Sequence, residues 1–552
     1  MIEGWSAGGR AYGLLAALCL ALYLPGIAAL PPLDRDEARF AQATRQMLES
    51  GDFLRIRFQD EARNKKPAGI YWLQAASVAA LSTAESTAIW PYRLPSLLGA
   101  LGAVLLTFAL GAPLVGRPAA LMGAALLASS LALVAEAHLA KADAMLLATV
   151  VAAQGALGII YRDGRRGGQR AAWPFALLFW GAQGLAVLIK GPIAPVLSLL
   201  TAGTLSLADR DARWLSGLRP LWGVPLLLAI AGPWLIAITV ATQGAFLGEA
   251  VGHDFFGKII GAQESHGLPS GAYLLALPAT FWPSSLLLAP TLAWAWRERG
   301  ETPERFLIAW AVPFWLLLEI VPTKLPHYIL PAYPALALLA GRALMILATI
   351  PVPRPRGLDA VVIALWTLVS FALAAALLWL SQTMAGASVQ FGYLVLAAII
   401  ALMSGRLAIG AWRHLWPGTA GVLLALALLV YVPAFQFVAP GIDELWLSRE
   451  AAAAVARYHP PRDAPVVSVG YSEPSLVFLL GTETRFVSAD QAAEYLTSAR
   501  GAAALVSNTE DEAFRRALKA RGWEARLVDR VDGLDYATGR HLALALYTGE
   551  PG

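Results

Sequence analysis

Long apolar runs without a charged side chain dominate this 552-residue chain and decide what it can fold into. A transmembrane helix needs about 20 mostly apolar residues. Charge-free stretches of that scale are 11–33, 94–116, 118–135, 144–161, 171–189, 191–208, 220–248, 267–296, 325–341 and 415–442. The stretch 360–405 is long enough for two helices, and the apolar segment 306–320 carries only Glu319. The pattern predicts a polytopic α-helical membrane protein with about 13 transmembrane helices.

The composition excludes several other classes. Only 14% of the residues are charged, against about 25% in ordinary soluble proteins, so a soluble enzyme and a disordered chain are ruled out. The net charge of +4 comes with arginines in short loops between apolar runs, which does not indicate a nucleic-acid partner. The single cysteine, Cys19, excludes an internal disulfide framework and a cysteine-based zinc site.

Arginine is concentrated in alternate loops, which predicts the orientation in the membrane. The arginines of the predicted inner loops are Arg117, Arg162, Arg165, Arg166, Arg170, Arg210, Arg213, Arg219, Arg297, Arg299, Arg305, Arg354, Arg356, Arg406 and Arg413. This distribution places the N-terminus in the cytoplasm and the C-terminal end outside. Lysine has the opposite distribution. The lysines predicted at the outer face are Lys65, Lys66, Lys141, Lys190, Lys258 and Lys324, and together they suggest an anion site there.

The membrane domain is predicted to comprise residues 1–440, with residues 31–92 as an outer loop. Within this loop, 34–52 is amphipathic and 67–84 is apolar but short. If 67–84 crossed the membrane, every later loop would invert and the arginine bias would be reversed. Both segments are therefore predicted to be helices at the outer interface.

A change of composition near residue 440 predicts a second domain. Apolar runs shorten to strand length in 465–470, 485–488, 503–507, 524–531 and 541–549, alternating with helix-like segments at 473–480, 489–499 and 510–521. Residues 441–552 are therefore predicted to form a small α/β domain outside the membrane.

Charged side chains at the ends of the apolar runs are the candidates for chemistry. The first outer loop contains Asp36, Glu37 and Arg39, and Asp143 in the second stands at the start of an apolar run. Charges beside lipid are costly unless a wet, functional cavity receives them. The competing interpretation is structural, since Asp36, Glu37 and Asp143 could simply stabilise helix N-termini.

Six segments carry a family resemblance: DEARFAQATRQMLESGDF (36–53), KPAGIYW (66–72), RLPSLLGA (93–100), KADAMLLA (141–148), KGP (190–192) and KLPHYILPAYP (324–334). They resemble the C-type polytopic glycosyltransferases, which include the protein O-mannosyltransferases, and among these the lipid A aminoarabinose transferases most. Phe40, Gln42 and Gln46 depart from that branch, where a tyrosine and two glutamates stand.

The resemblance implies a bacterial inner-membrane enzyme working at the periplasmic face. Its donor would be undecaprenyl phosphate carrying 4-amino-4-deoxy-L-arabinose, and its acceptor would be a lipid A phosphate. The transfer would invert the configuration at the anomeric carbon of the sugar. The resemblance also implies a monomer that contacts membrane lipids and has no nucleic-acid partner. Two alternatives stay open: a polyprenyl-phosphate-dependent protein O-glycosyltransferase, and a lipid-linked sugar transporter.

Because the leaving group is a phosphate, the reaction needs cations to stabilise it rather than a general acid. Arg39 and Lys66 are the first candidates for phosphate contacts, followed by Lys190, Lys324, Tyr71 and Tyr328. Asp36, Glu37 and Asp143 are the candidate catalytic carboxylates. With a lipid A phosphate as acceptor they would orient the cations or pair with the sugar ammonium. With a protein hydroxyl as acceptor, Asp36 would be the general base.

The sequence suggests one metal site, a structural zinc. Glu85 and His266 are its candidate ligands, since zinc accepts carboxylate and imidazole ligands. No cofactor is expected to be required for the reaction.

Overall fold

The computed structural model describes residues 6, 8–165, 173–250, 252, 268–347, 357–382, 387–413, 418–458, 466–499 and 501–551. The chain divides into two compact units. The first comprises residues 1–27, 64–73 and 93–436, and the second comprises 28–63, 74–92 and 437–552. The second unit resumes at Phe437, close to the predicted boundary at 440. It also contains most of the predicted outer loop.

The first unit is helical, as the apolar runs predict. Eight helices in the described residues are long and apolar enough to cross a membrane. They are Trp90–Val115, Asp143–Arg165, Trp173–Lys190, Pro220–Ala241, Pro326–Ile346, Leu358–Ser381, Ser388–Trp412 and Thr419–Gly441. The fold class of a polytopic α-helical membrane protein is therefore confirmed.

Breaks and short helices account for the difference from the predicted number of about 13. Two bent pairs, Arg117–Ala128 with Leu131–Ala137 and Ala272–Thr280 with Ser284–Arg297, raise the number of spans to 10 if each pair is one span. Three further helices, Gly8–Tyr23, Ile193–Asp209 and Thr302–Ile320, occupy the remaining predicted stretches. Each predicted apolar stretch thus contains a helix, but a count by hydropathy alone treats broken and short helices as full spans.

Small residues bring two helices of the first unit into close contact. A Cβ atom built on Gly123, in the helix Arg117–Ala128, would lie 2.8 Å from the carbonyl oxygen of Ala337 in the helix Tyr333–Leu347. Helices in a membrane gain little from the hydrophobic effect, so close packing through small residues stabilises their association.

Glu319, the one acid in its apolar run, caps a helix. Its carboxylate accepts hydrogen bonds from the backbone N–H groups of Gly271 (2.7 Å) and Leu274 (3.2 Å) at the start of Ala272–Thr280. The indole of Trp315 donates a third, at 3.2 Å. Backbone donors at a helix start have no partner within the helix, so this acid has a structural role.

Both segments predicted as interfacial helices are helices in the structure. The first is Asp36–Ser50, followed by the short hairpin of β1 (Arg57–Phe58) and β2 (Glu61–Ala62) in the second unit. The second, Gly69–Leu81, begins in the first unit and ends in the second. Their location at a membrane interface stays a prediction.

The C-terminal part of the second unit contains the predicted α/β fold. Its sheet consists of β3 (Val467–Val469), β4 (Arg485–Phe486), β5 (Ala503–Ser507), β6 (Trp523–Asp535) and β7 (Arg540–Pro551) in the order β4-β3-β5-β7-β6. β3 pairs in parallel with β4 and β5, whereas β7 is antiparallel to β5 and β6. The helices are Leu447–Tyr458, Pro474–Leu480, Ala489–Ser498 and Asp511–Lys519.

Alternation along β5 explains why helices cover both faces of this sheet. Ala503 and Leu505 pack with Leu447 on one face, and Ala504 and Val506 pack with Phe514 on the other. Side chains of successive strand residues point to opposite faces, so a fully apolar strand needs cover on both sides.

Candidate active site

A cavity of about 160 Å³ in the first unit collects several of the predicted site residues. Its polar lining includes Lys66, Asp143, Lys190, Thr323, His327 and Tyr328. The rest of the wall is largely apolar, with Leu146, Ile193, Val196, Phe314, Leu317 and Leu318 among its residues. Ligand sites commonly combine apolar walls with a few polar groups that fix orientation.

Helix ends bring the charges of this cavity together. Asp143 is the first residue of Asp143–Arg165, and Lys190 is the last of Trp173–Lys190. The Lys190 ammonium forms an ion pair with Oδ1 of Asp143, and the Lys141 ammonium lies 3.9 Å from Oδ2. Both partners suit the helix dipole, since an acid stands at an N-terminus and a cation at a C-terminus.

The structure adds Glu136 and His327, which were not among the predicted site residues. Lys141 Nζ donates to Oε1 of Glu136 at 3.1 Å. The imidazole of His327 lies between two carboxylates, with Nδ1 3.6 Å from Glu136 Oε1 and Nε2 3.7 Å from Asp143 Oδ1. His327 belongs to the quoted segment 324–334 and Glu136 lies five residues before the quoted segment 141–148, so charges at two adjoining helix ends were the available signal.

Three other predicted residues of this unit have different placements. The Tyr328 ring lies under the Lys190 ammonium, 5.4 Å from it, and lines the cavity. Lys324 is 3% exposed, and its ammonium donates to the carbonyl of Val321 at 2.6 Å. Tyr71 is fully buried in the helix Gly69–Leu81. Lys324 and Tyr71 are therefore buried but are not among the cavity-lining residues, and their phosphate contacts stay predictions.

The acidic first loop lies in the second unit. Glu37 is 1% exposed, and its Oε2 accepts a hydrogen bond from the backbone N–H of Leu33 at 2.8 Å. Asp36 is exposed and Arg39 is half-buried on the helix Asp36–Ser50. The hydrogen bond to Leu33 gives Glu37 a structural role, which is the alternative to its predicted catalytic role. Asp36 and Asp143, both predicted as catalytic carboxylates, belong to different units, and the catalytic role of Asp36 stays a prediction.

Gln42 and Gln46, two departures from the family pattern, both use their amide N–H₂ as donors. Gln42 donates to the hydroxyl of Thr482 at 2.7 Å, and Gln46 donates to the carbonyl of Gln59 at 3.0 Å. Gln46 also accepts from the backbone N–H of Gln59 at 2.7 Å. An ionised glutamate is an acceptor only, so the donation to the Gln59 carbonyl requires the amide.

A second acid cluster, missed in the sequence, lies inside the second unit. The hydroxyl of Ser475 donates to Asp34, whose backbone N–H donates to the Tyr536 hydroxyl at 2.6 Å. Burial raises the pKa of Asp34 to about 6, and burial with the nearby Asp34 charge raises the pKa of Glu473 to about 7. Spacing along the chain could not reveal this cluster, because residues 34 and 473 are distant in sequence.

These raised pKa values predict that the second unit loses stability as pH rises from about 4 to about 7. In that range the folded state binds more protons than the unfolded state. Asp34→Asn is therefore expected to stabilise the protein at pH 8 by at most about 3 kcal/mol and to flatten its pH dependence. Thermal unfolding of the full chain in detergent between pH 4 and 8 measures this, with exposed Asp36→Asn as the control. A variant as pH-dependent as the wild type would contradict the assignment.

The described residues do not test the predicted zinc site. Glu85 is exposed in the second unit, and His266 lies outside the described residues. Among the residues that the structure describes, no group of three or more histidine, cysteine or acidic side chains could hold a metal ion. The zinc site stays a prediction.

Charge and shape together define what the cavity of the first unit can hold. The lining of the cavity carries the ammonium groups of Lys66 and Lys190 against the carboxylate of Asp143, and beside it Lys141 pairs with Glu136 at 3.1 Å. The excess cation favours an anionic ligand. A volume near 160 Å³ is close to that of an engineered cavity that holds benzene, which suits a phosphate and the first atoms of an apolar chain.

Comparison with known proteins finds similarity to the glycosyltransferases that the sequence resembles. Residues 15–243 match the family model of the dolichyl-phosphate-mannose-protein mannosyltransferases. The chain is 30% identical over 311 residues to the undecaprenyl phosphate-alpha-4-amino-4-deoxy-L-arabinose arabinosyl transferase of Pseudomonas paraeruginosa, covering 56% of this chain and 55% of the relative. The predicted resemblance to the aminoarabinose transferases is confirmed. The alignment spans about half the length of that relative.

Solved structures extend the likeness in fold to nearly the whole chain. The crystal structure of ArnT from Cupriavidus metallidurans bound to undecaprenyl phosphate has a TM-score of 0.73 at 20% identity, covering 98% of both chains. The archaeal oligosaccharyltransferase AglB from Archaeoglobus fulgidus has a TM-score of 0.54 at 11% identity, covering 100% of this chain and 74% of the other. At these identities the likeness establishes the fold.

Proposed function

We propose that this protein transfers 4-amino-4-deoxy-L-arabinose from undecaprenyl phosphate to a phosphate of lipid A. The observation that carries the proposal is the cavity in which Lys66 and Lys190 stand beside an apolar wall. A polyprenyl phosphate has this same combination of an anionic head and an apolar chain. The arabinosyl transferase of P. paraeruginosa and the ArnT structure with undecaprenyl phosphate support the choice of donor.

In this proposal Lys66 and Lys190, which line the cavity, bind the donor phosphate. Departure of the sugar leaves additional negative charge on this phosphate, and fixed cations stabilise that charge in the transition state. Asp143 holds Lys190 by an ion pair and has Lys141 within 3.9 Å. Its role in this proposal is to position the ammonium groups and to balance part of their charge before the donor arrives.

The proposed acceptor is a phosphate of lipid A rather than a protein hydroxyl. A lipid A phosphate is already an anion and needs no base to attack the sugar, which agrees with a cavity lined by Lys66 and Lys190 against the carboxylate of Asp143. A serine or threonine hydroxyl would need a general base, and that assistance is typically worth 10²–10⁴-fold in rate. Asp36, exposed on the second unit, would be the base in that alternative.

We assign the reaction to the periplasmic face of the bacterial inner membrane, with the N-terminus in the cytoplasm. The arginine-rich loops support this orientation. A lipid-linked donor fits such a site, because it travels in the membrane together with its activated sugar. The monomer is proposed as the working state.

The direct test supplies purified protein in lipid nanodiscs with undecaprenyl-phosphate aminoarabinose. Lipid A and a serine- and threonine-rich peptide are offered in separate reactions, and mass spectrometry follows the sugar. We expect aminoarabinose on lipid A and none on the peptide. Sugar on the peptide alone would replace the acceptor assignment with the O-glycosyltransferase alternative. Movement of intact donor across the bilayer without transfer would favour the transporter.

A further inference from the structure

The arrangement around His327 has a proton requirement that the proposed function does not use. A neutral imidazole has one N–H and one lone pair. Here both ring nitrogens face carboxylate oxygens, Nδ1 towards Glu136 at 3.6 Å and Nε2 towards Asp143 at 3.7 Å. With a neutral ring and two ionised acids, one nitrogen would direct its lone pair at an oxygen lone pair. One additional proton, on the ring or on Glu136, removes that repulsion.

Burial strengthens this requirement. The side chain of Glu136 is 5% exposed, that of Asp143 is 8% exposed and that of His327 is 14% exposed. Within the part of the chain that the structure describes, Oε2 of Glu136 has no hydrogen-bond partner. An unsatisfied buried polar atom costs about 1–3 kcal/mol, and more when it is charged. A proton on this carboxyl lowers the cost.

The other charges facing His327 come from several elements. They are Lys66, Lys141, Asp143 and Lys190, with the ring of Tyr328 at 4.9 Å and Glu136 on the opposite side. The lysines oppose a further positive charge, whereas the two acids favour it. A proton shared between Glu136 and the ring satisfies both influences, because it can lie on either group without a change in total charge.

We propose that Glu136, His327 and Asp143 form a proton-holding chain with one shared proton, and that His327, which lines the cavity together with Asp143, protonates the departing lipid phosphate when its Nε2–H turns from Asp143 to a phosphate oxygen. This inference rests on the proposed function. The bond between the sugar anomeric carbon and the donor phosphate oxygen breaks, and its electron pair stays on the phosphate. A bond forms between that carbon and an oxygen of the acceptor phosphate. The ring passes its proton to the departing phosphate, and Glu136 returns a proton to the ring if it holds one.

The departing phosphate is a group that can accept this proton, because the second ionisation of a phosphomonoester has a pKa of about 6. The phosphate can leave without a proton, so the chain accelerates departure rather than permitting it. Water restores the proton to the chain after the product lipid has left.

Two variants test the chain. His327→Gln keeps an amide donor but cannot store a proton, and Glu136→Gln keeps the shape of the carboxyl. We expect His327→Gln to lower kcat by about 10²-fold, at the low end of general-acid effects, with KM changed by less than about twofold. Glu136→Gln is expected to lower kcat less. The control is His541→Gln, an exposed histidine on β7 of the second unit.

The pH profile separates proton transfer from simple structural support. In the wild type kcat should fall as pH rises, because the chain must be protonated to act. That alkaline fall should be absent in His327→Gln and Glu136→Gln. Wild-type kcat and an unchanged alkaline limb in both variants would overturn the proposal.

A spectroscopic measurement removes the dependence on activity. Infrared difference spectra of the full protein between acidic and alkaline pH should contain a carboxylic-acid or imidazolium band that both variants lack and His541→Gln retains. If the wild type shows this band but transfers no aminoarabinose, the proposed function fails while the proton chain stands. If the band is absent from the wild type, the proton chain is wrong even where transfer is observed.

Discussion

Replacing Asp143 with asparagine is expected to lower kcat/KM for sugar transfer by about 10²–10³-fold, the range for removal of one preorganised electrostatic group. The carboxylate pairs with Lys190, has Lys141 at 3.9 Å and faces His327. Its loss removes the group that holds the Lys190 ammonium in the cavity. Lys190→Met is expected to have an effect of similar size. Transfer of radiolabelled aminoarabinose to lipid A in nanodiscs measures both.

The same helix offers a matched control. Asp163 lies near the other end of Asp143–Arg165 and forms an ion pair with Arg162 at 2.7 Å. Asp163→Asn should keep kcat/KM close to the wild-type value. Because Asp143 and Lys190 act as a unit, the double variant should lose little more than either single variant. Independent, additive losses would show that the two residues do not act together.

Arg342→Met is expected to lower the free energy of unfolding by about 3–5 kcal/mol, the usual cost of breaking a buried ion pair on one side. The guanidinium lies 2.5 Å from the carboxylate of Glu304, whose side chain has no exposed surface. Without the arginine, the buried Glu304 side chain must keep an unpaired charge or take up a proton. Thermal unfolding in detergent should show a clear decrease in Tm.

Removing the charges of both Arg342 and Glu304 tests whether the unpaired carboxylate causes the lower Tm. The double variant Arg342→Met with Glu304→Gln should recover most of the lost Tm, since no unpaired charge remains. Arg213→Met breaks an exposed ion pair with Asp211 and should leave Tm nearly unchanged, because solvent screens such pairs. A double variant as unstable as Arg342→Met alone would mean that lost packing against Trp294, 5.4 Å from the guanidinium, causes the effect.

The lengths of the apolar runs by themselves determined much of the fold. A chain segment in lipid must satisfy its own backbone hydrogen bonds, so each long apolar run was expected to form a helix, and each contains one. Shorter apolar runs between helix-like segments located the strands of the C-terminal sheet. The breaks at 129–130 and 281–283, which divide predicted spans into bent pairs, depend on packing and were not predictable from hydropathy.

The candidate site was predictable where charges stand at the ends of apolar runs. Lys66, Asp143 and Lys190 were predicted from such positions, and all three line one cavity together with the predicted Tyr328. Burying charge beside lipid is so costly that these residues stand out in any sequence. Lys324 stands in a similar position, yet its ammonium bonds the nearby carbonyl of Val321. A pattern in the sequence does not distinguish these two outcomes.

Only the tertiary structure decided how the acids are used. Asp34 and Glu37 are close in sequence to Asp36, but Asp34 lies among Ser475, Glu473 and Tyr536, and Glu37 bonds the backbone of Leu33. Glu136 and His327 meet because the helix ends at 137 and 326 pack side by side. Apolar runs determine local structure through the cost of an unpaired backbone group in lipid. The pairing of charges depends on distances between elements remote in sequence, which local preferences do not determine.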